Sequence, residues 1–123
     1  MRRILIIDNE EYIREIAQVS LETTAGWQVI TAASGQEGLI KAESDLPDAI
    51  LLDVMMPDMD GLTTLKGLLA NPATQAIPVL FLTAKVHGLD RQPYDHVGVR
   101  ATLAKPFNPL ELAGQIASVL GWD

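Results

Sequence analysis

The sequence contains no cysteine, which excludes disulfides and thiolate metal sites. It also has no apolar run near the ~20 residues that a membrane helix requires. The first run, Ile4 to Ile7, stops at Asp8 and is too short for the core of a signal peptide. A soluble, cytoplasmic protein without a membrane partner is expected. Positive charge is scarce: 9 Lys and Arg stand against 16 Asp and Glu, for a net charge of −7. Such a chain is repelled by phosphate backbones, and Arg2-Arg3 is too small a basic cluster to overcome that. Nucleic acid is therefore not an expected partner. There is no internal repeat and no low-complexity stretch. The two histidines, His87 and His96, lack the spacing of a metal-ligand pair and are expected at the surface.

What remains is an ordinary globular composition. At 123 residues and 48% hydrophobic content, the chain fits a single domain over residues 1–123 with a normal buried core. Ile4–Ile7, Trp27–Thr31, Ala49–Leu52, Pro78–Leu82 and Ala101–Ala104 read as strands, the first and third apolar enough to be buried on both faces. Helical spacing alternates with them. Asp8 or Asn9 can cap a helix with Ile13, Ile16, Ala17, Ser20 and Leu21 on its inner face. Ser34 and Glu37 form a capping box for a helix expected to bury Leu39 and Ile40. Leu62, Leu65, Leu68 and Leu69 mark another helix. Asn108-Pro109-Leu110-Glu111 reads as the start of a last one, with Leu110, Ala113, Ile116, Ala117 and Leu120 as its buried stripe. Trp27 and Trp122 are expected to pack at the periphery. The alternation implies an α/β fold with parallel strands, right-handed crossovers and helices on both faces.

In such sheets ligands bind beyond the carboxyl ends of the strands. Asp8, Asp53, Thr83 and Lys105 each stand at or just past such an end. Taken singly, they read as a helix cap, a turn residue or a solvated lysine. Together they can do chemistry. Two neighbouring acids repel, and an oxygen-seeking dication such as Mg²⁺ relieves that. A carboxylate beside the cation can attack a phosphoryl group in line. The Lys105 ammonium, the Thr83 hydroxyl and the backbone N–H groups after Asp53 can then receive the phosphoryl oxygens. Asp58 and Asp60 read as turn chemistry before Gly61, and Met55, Met56 and Met59 as packing residues.

Four blocks carry a resemblance. Ile4-Leu5-Ile6-Ile7-Asp8-Asn9-Glu10, Leu51 through Gly61 (LLDVMMPDMDG), Phe81-Leu82-Thr83-Ala84-Lys85 and Ala104-Lys105-Pro106-Phe107 resemble, in order and at matching intervals, the signature blocks of response-regulator receiver domains of the CheY-like family. The resemblance covers the whole chain. It implies a bacterial, stand-alone receiver with a doubly wound, five-stranded parallel sheet of flavodoxin-like order 2-1-3-4-5. It implies a two-component phosphorelay role, with Asp53 as phosphoacceptor and Thr83 and Lys105 on the phosphoryl oxygens. Mg²⁺ or Mn²⁺ would be held by Asp8, Asn9, Asp53 and the Met55 backbone carbonyl. The partners implied are a histidine kinase or histidine phosphotransfer protein upstream and an unidentified protein downstream. The chain would catalyse its own phosphorylation and dephosphorylation without being a dedicated enzyme. A cis Lys105–Pro106 bond is expected on the resemblance alone.

The sequence departs from the family pattern in three places. Asn9 stands where a second acid is usual, so dication affinity is expected to fall below that of Asn9→Asp. Thr102 replaces an aromatic switch residue three positions before Lys105. The segment from Lys85 to Val99, with Gly88, Pro93 and Gly98, predicts a short or irregular helix, with Tyr94 or His96 as candidate contacts. Asn9 and Thr102 favour an alternative, a pseudo-receiver acting as a constitutive interaction module. An aspartyl-phosphate phosphatase would need an acid two residues after Asp53, where Met55 stands.

Overall fold

A computed structural model describes residues 2–84 and 99–122. The helix expected between Lys85 and Val99, with His87, Tyr94 and His96, falls outside the described residues apart from Val99.

The element order is β1 (Arg3–Ile7), α1 (Glu11–Ala25), β2 (Gln28–Ala32), α2 (Gly35–Asp45), β3 (Ala49–Asp53), α3 (Gly61–Ala70), β4 (Val79–Thr83), β5 (Ala101–Ala104) and α4 (Leu112–Leu120). The strands form one parallel sheet in the order β2-β1-β3-β4-β5. This is the expected doubly wound α/β architecture. Side chains alternate across a strand, so β1 divides between two cores. Leu5 and Ile7 join Ile50, Leu52, Leu65, Leu68 and Phe81 on the face covered by α2 and α3. Ile4 and Ile6 join Leu21, Leu51, Leu80, Leu82, Leu112 and Ile116 on the face of α1 and α4. Central strands buried on both sides need a continuous apolar run, and each fully buried Leu or Ile contributes ~1.5–3 kcal/mol.

The helix ends follow local chemistry. Ser34 Oγ accepts the Glu37 N–H at 3.1 Å as expected of the cap, while Glu37 Oε1 reaches one residue further back than the capping box requires and accepts the Ala33 N–H at 2.8 Å. Asp60 Oδ1 caps α3 by accepting the Thr63 N–H at 2.8 Å. Gly26 ends α1 in the left-handed region, φ 70°.

Several expected inner faces differ. The contact face of α2 is Gly35, Gly38 and Ala42, and Ile40 is exposed. Residue 40 lies about 200° around the helix from 38, so the small residues that let the helix sit close turn it outward. Leu69, at the margin of the α3 stripe, is also exposed. Leu110 is 80% exposed, because Asn108–Glu111 forms a turn before α4. There Asn108 Oδ1 accepts the Leu110 N–H at 2.9 Å, and Leu112 takes the buried place. The first helix is capped at Glu10, not at Asp8 or Asn9.

Trp27 and Trp122 meet edge to face with ring centroids 5.2 Å apart, and the Arg2 guanidinium lies 4.4 Å above the Trp122 ring. Arg3 binds the Gln28 side chain and the Asp45 carbonyl. Both N-terminal arginines are thus engaged within the chain. Among the described residues no helix is long and apolar enough to cross a membrane.

Candidate functional site

Parallel pairing brings the carboxyl ends of β1, β3, β4 and β5 to one edge. Asp53 pairs in register with Leu82, and Thr83 with Ala104, so Thr83 follows the partner of Asp53 by one position and Lys105 follows the partner of Thr83 by one. The Lys105 N–H donates to the Thr83 carbonyl at 3.0 Å, and the Lys105–Pro106 peptide is cis. Asp8, just past β1, donates its N–H to the Ala32 carbonyl at 3.1 Å. Asp8, Asp53 and Thr83 are all buried, and Asp8 and Thr83 fully so.

Lys105 Nζ lies at the centre of the site. It is 2.9 Å from Asp8 Oδ2, 3.0 Å from Glu10 Oε1 and 3.4 Å from Asp53 Oδ1. Asp8 Oδ1 accepts the Glu10 N–H at 2.8 Å, and Asp53 Oδ1 accepts the Met55 N–H at 3.2 Å. Asp53 Oδ2 is buried and accepts no hydrogen bond from the described residues. A buried carboxylate oxygen left in that state is costly unless something else comes to it.

The electrostatics follow. Burial pushes the Asp53 carboxyl up, the Asp8 charge pushes it further, and Lys105 and the Met55 N–H offset part of this, leaving it at about 6 against an ordinary 3.8. Burial acts to lower the Lys105 pKa, but the hydrogen bonds its ammonium donates to Asp8 and Glu10 and the charges of Asp8 and Asp53 outweigh it, and the net direction is up.

The structure therefore brings together Asp8, Asp53 and Lys105 as expected, with Thr83 on the adjoining strand. Asn9 is exposed and lines a small recess with Ser34, Met56 and Pro57. The Met55 side chain is also exposed, contrary to a packing role, while Met56 is buried. Residue 55 leaves the sheet past Asp53, and its backbone rather than its side chain meets the site. Glu10 stands outside the ligand set expected from the sequence. Its carboxylate, with those of Asp8 and Asp53, places oxygens within 4.8 Å of one another. An all-oxygen donor set with excess negative charge and an unpaired buried oxygen has the chemistry of a Mg²⁺ or Mn²⁺ site.

Gly61 holds the loop that follows Asp53. Its N–H donates to the Val54 carbonyl at 2.9 Å. A Cβ there would stand 2.7 Å from the Asp53 carbonyl oxygen and 2.7 Å from Val54 Cα, both backbone atoms that cannot swing aside. Gly61→Ala is expected to destabilise the chain by about 2–3 kcal/mol. Gly114→Ala, inside α4 with open space around its Cβ, should instead be neutral or stabilising by about 0.5–1 kcal/mol. Urea unfolding of both checks this, and equal effects would show that the loop yields.

With this geometry the chain can be compared with known proteins. Residues 4–117 match the family model for the response regulator receiver domain. The chain is 39% identical over 119 residues to the alkaline phosphatase synthesis transcriptional regulatory protein PhoP of Bacillus subtilis, covering 97% of this chain and 48% of that one. The fold is similar to that of the chemotaxis protein CheY4 of Vibrio cholerae, with a TM-score of 0.89, 34% identity, and coverage of 97% of this chain and 98% of that one. It is also similar to the N-terminal domain of a response regulator receiver protein from Methanoculleus marisnigri, at a TM-score of 0.78, 34% identity and coverage of 100% and 99%. The chain belongs to the receiver-domain family of two-component response regulators. It spans about half the length of the curated relative PhoP.

Proposed function

We propose that this chain is a phosphorylation-dependent switch in which Asp53 accepts a phosphoryl group from a histidine kinase or a histidine phosphotransfer protein. The observation that carries this reading is the convergence of the Lys105 ammonium on Asp53, whose second oxygen is buried without a hydrogen bond. In the step envisaged, one Asp53 carboxylate oxygen attacks phosphorus in line. The N–P bond of the donor phosphohistidine breaks, the imidazole leaves, and an acyl phosphate forms. Lys105 and the Thr83 hydroxyl receive the phosphoryl oxygens. A dication held by Asp8, Asp53, the Met55 carbonyl and Asn9 would supply charge neutralisation for attack by one anion on another.

The chain would turn over only its own phosphoryl group, so it is not a dedicated enzyme. The reading places it in the cytoplasm, where a kinase phosphohistidine is renewed. A downstream protein would read the phosphorylated state. The buried placement of Asp53 and Lys105 supports this over a constitutive interaction module, in which nothing would require two carboxylates and an ammonium to meet out of water.

Incubation with a small acyl phosphate donor and Mg²⁺, followed by intact mass measurement, tests the proposal. One phosphate should add to the native chain and none to Asp53→Ala. Undiminished labelling of Asp53→Ala would overturn the assignment, and an unlabelled native chain would favour the pseudo-receiver.

A further inference from the structure

Asn9 leaves the dication site one carboxylate short of the family pattern, yet a third carboxylate is within reach. Glu10 occupies the N-cap of α1, where a side chain ordinarily bonds to the helix N–H groups, but it makes no such bond. Its Oε1 turns instead to Lys105 Nζ at 3.0 Å. Carboxylate oxygens of Asp8, Glu10 and Asp53 lie within 4.8 Å of one another. Among the described residues one ammonium serves all three, so negative charge remains in excess there. Asp53 Oδ2, on a residue only 2% exposed, has no hydrogen-bond partner among the described residues and is the oxygen that a cation would meet.

We infer that Glu10 supplies the charge that Asn9 lacks, acting as a ligand to the dication directly or through one water. The inference rests on the reading that this site takes a dication. Glu10 and Asp8 together hold Lys105. A dication held by these carboxylates would compete with Lys105 for the Glu10 carboxylate, and would leave the ammonium available to the phosphoryl oxygens beside Asp53. Both halves of that exchange are accessible. The Glu10 side chain is 57% exposed, against 13% for Lys105, so Glu10 can reorient without disturbing packing. Glutamate also reaches one methylene further than aspartate, which suits a carboxylate arriving from one residue beyond Asn9.

A plain surface ion pair between Glu10 and Lys105 would predict something else. Exposed pairs of that kind contribute little, and their loss would not depend on residue 9. The test is calorimetric titration of Mg²⁺ into the full chain, without phosphodonor, for the native protein, Glu10→Gln, Asn9→Asp and the double variant. Glu10→Gln should weaken Mg²⁺ binding about tenfold in the native background. In the Asn9→Asp background, where the usual acid is restored, the loss should shrink to about twofold or less. A loss below about threefold in the native background, or a loss of the same size in both, overturns the inference. Because the readout is binding alone, it can fail while Asp53 phosphorylation stands, and the mass measurement on Asp53→Ala can fail while this result holds.

Discussion

In chelator-treated protein at pH 8, Asp53→Asn is expected to raise the unfolding free energy by about 1–3 kcal/mol. The carboxylate is 2% exposed, and ionising it there works against burial first and against the Asp8 charge second. These raise its pKa from 3.8 to about 6 in spite of Lys105. Because the folded value lies above the unfolded one, the folded state binds the proton more readily. The stability conferred by protonation is complete below about pH 4 and is lost as pH rises through 6. Above that the native chain carries the full penalty, roughly two pH units at about 1.4 kcal/mol each. Asparagine keeps the shape and an acceptor oxygen without the charge, but it forfeits some attraction to Lys105, which is why the expected gain has a lower bound near 1 kcal/mol. Paired urea titrations from pH 8 to pH 4 measure the difference. The gain should fade between pH 6 and pH 4, and a gain independent of pH would mean that charge burial is not its source.

That strain resides in one of the most legible parts of the molecule. Strands buried on both faces must be written as uninterrupted apolar runs, and Ile4–Ile7 and Ala49–Leu52 could hardly be anything else. Asp53, Thr83 and Lys105 were legible because a polar residue that interrupts such a run, or follows one, falls at the sheet edge whatever else it does. Helix faces were harder. Spacing identifies a stripe but not its centre, and α2 centres on Gly35 and Gly38, which hydrophobicity does not flag. A Cβ on Gly38 would run into the Ile7 side chain, so close approach, not apolar character, decided that face and turned Ile40 outward. Leu110 was misassigned because Asn108 fits a turn as well as it fits a helix cap. Glu10 is absent from the expected ligand set for a different reason. It belongs to a strand-to-helix junction, where neither the two-residue nor the 3.6-residue period governs direction. Its backbone is still extended, φ −91° and ψ 113°, and an extended chain repeats side-chain direction every second residue. The Asp8–Glu10 spacing was therefore the available signal.

Lys105→Met should shift stability in the opposite direction, lowering it by about 3 kcal/mol at pH 8 in chelator. Methionine retains most of the volume and the apolar stem, so the loss reports the ammonium more than the packing. Without that charge Asp8 and Asp53, at 0% and 2% exposure, face each other with no cation between them, and breaking a buried pair on one side leaves the other charge uncompensated. Glu10 is too exposed to share much of that penalty. The Lys105 pKa is raised in the fold, so its ammonium is present throughout the neutral range, and its contribution is lost only as pH climbs past its ordinary value near 10.5. The acid side behaves differently. Removing the lysine takes away an influence that lowers the Asp53 pKa, so Asp53 should hold its proton to still higher pH and relieve the repulsion. The penalty of Lys105→Met should accordingly be smaller at pH 5 than at pH 8. It should also be smaller in the Asp53→Asn background, where the second charge is already gone. Mg²⁺ should restore part of the lost stability by taking up the same negative charge. Four chains, two pH values and one cation decide the matter by urea unfolding. An equal loss in every background and at both pH values would show that Lys105 supports the fold by packing alone.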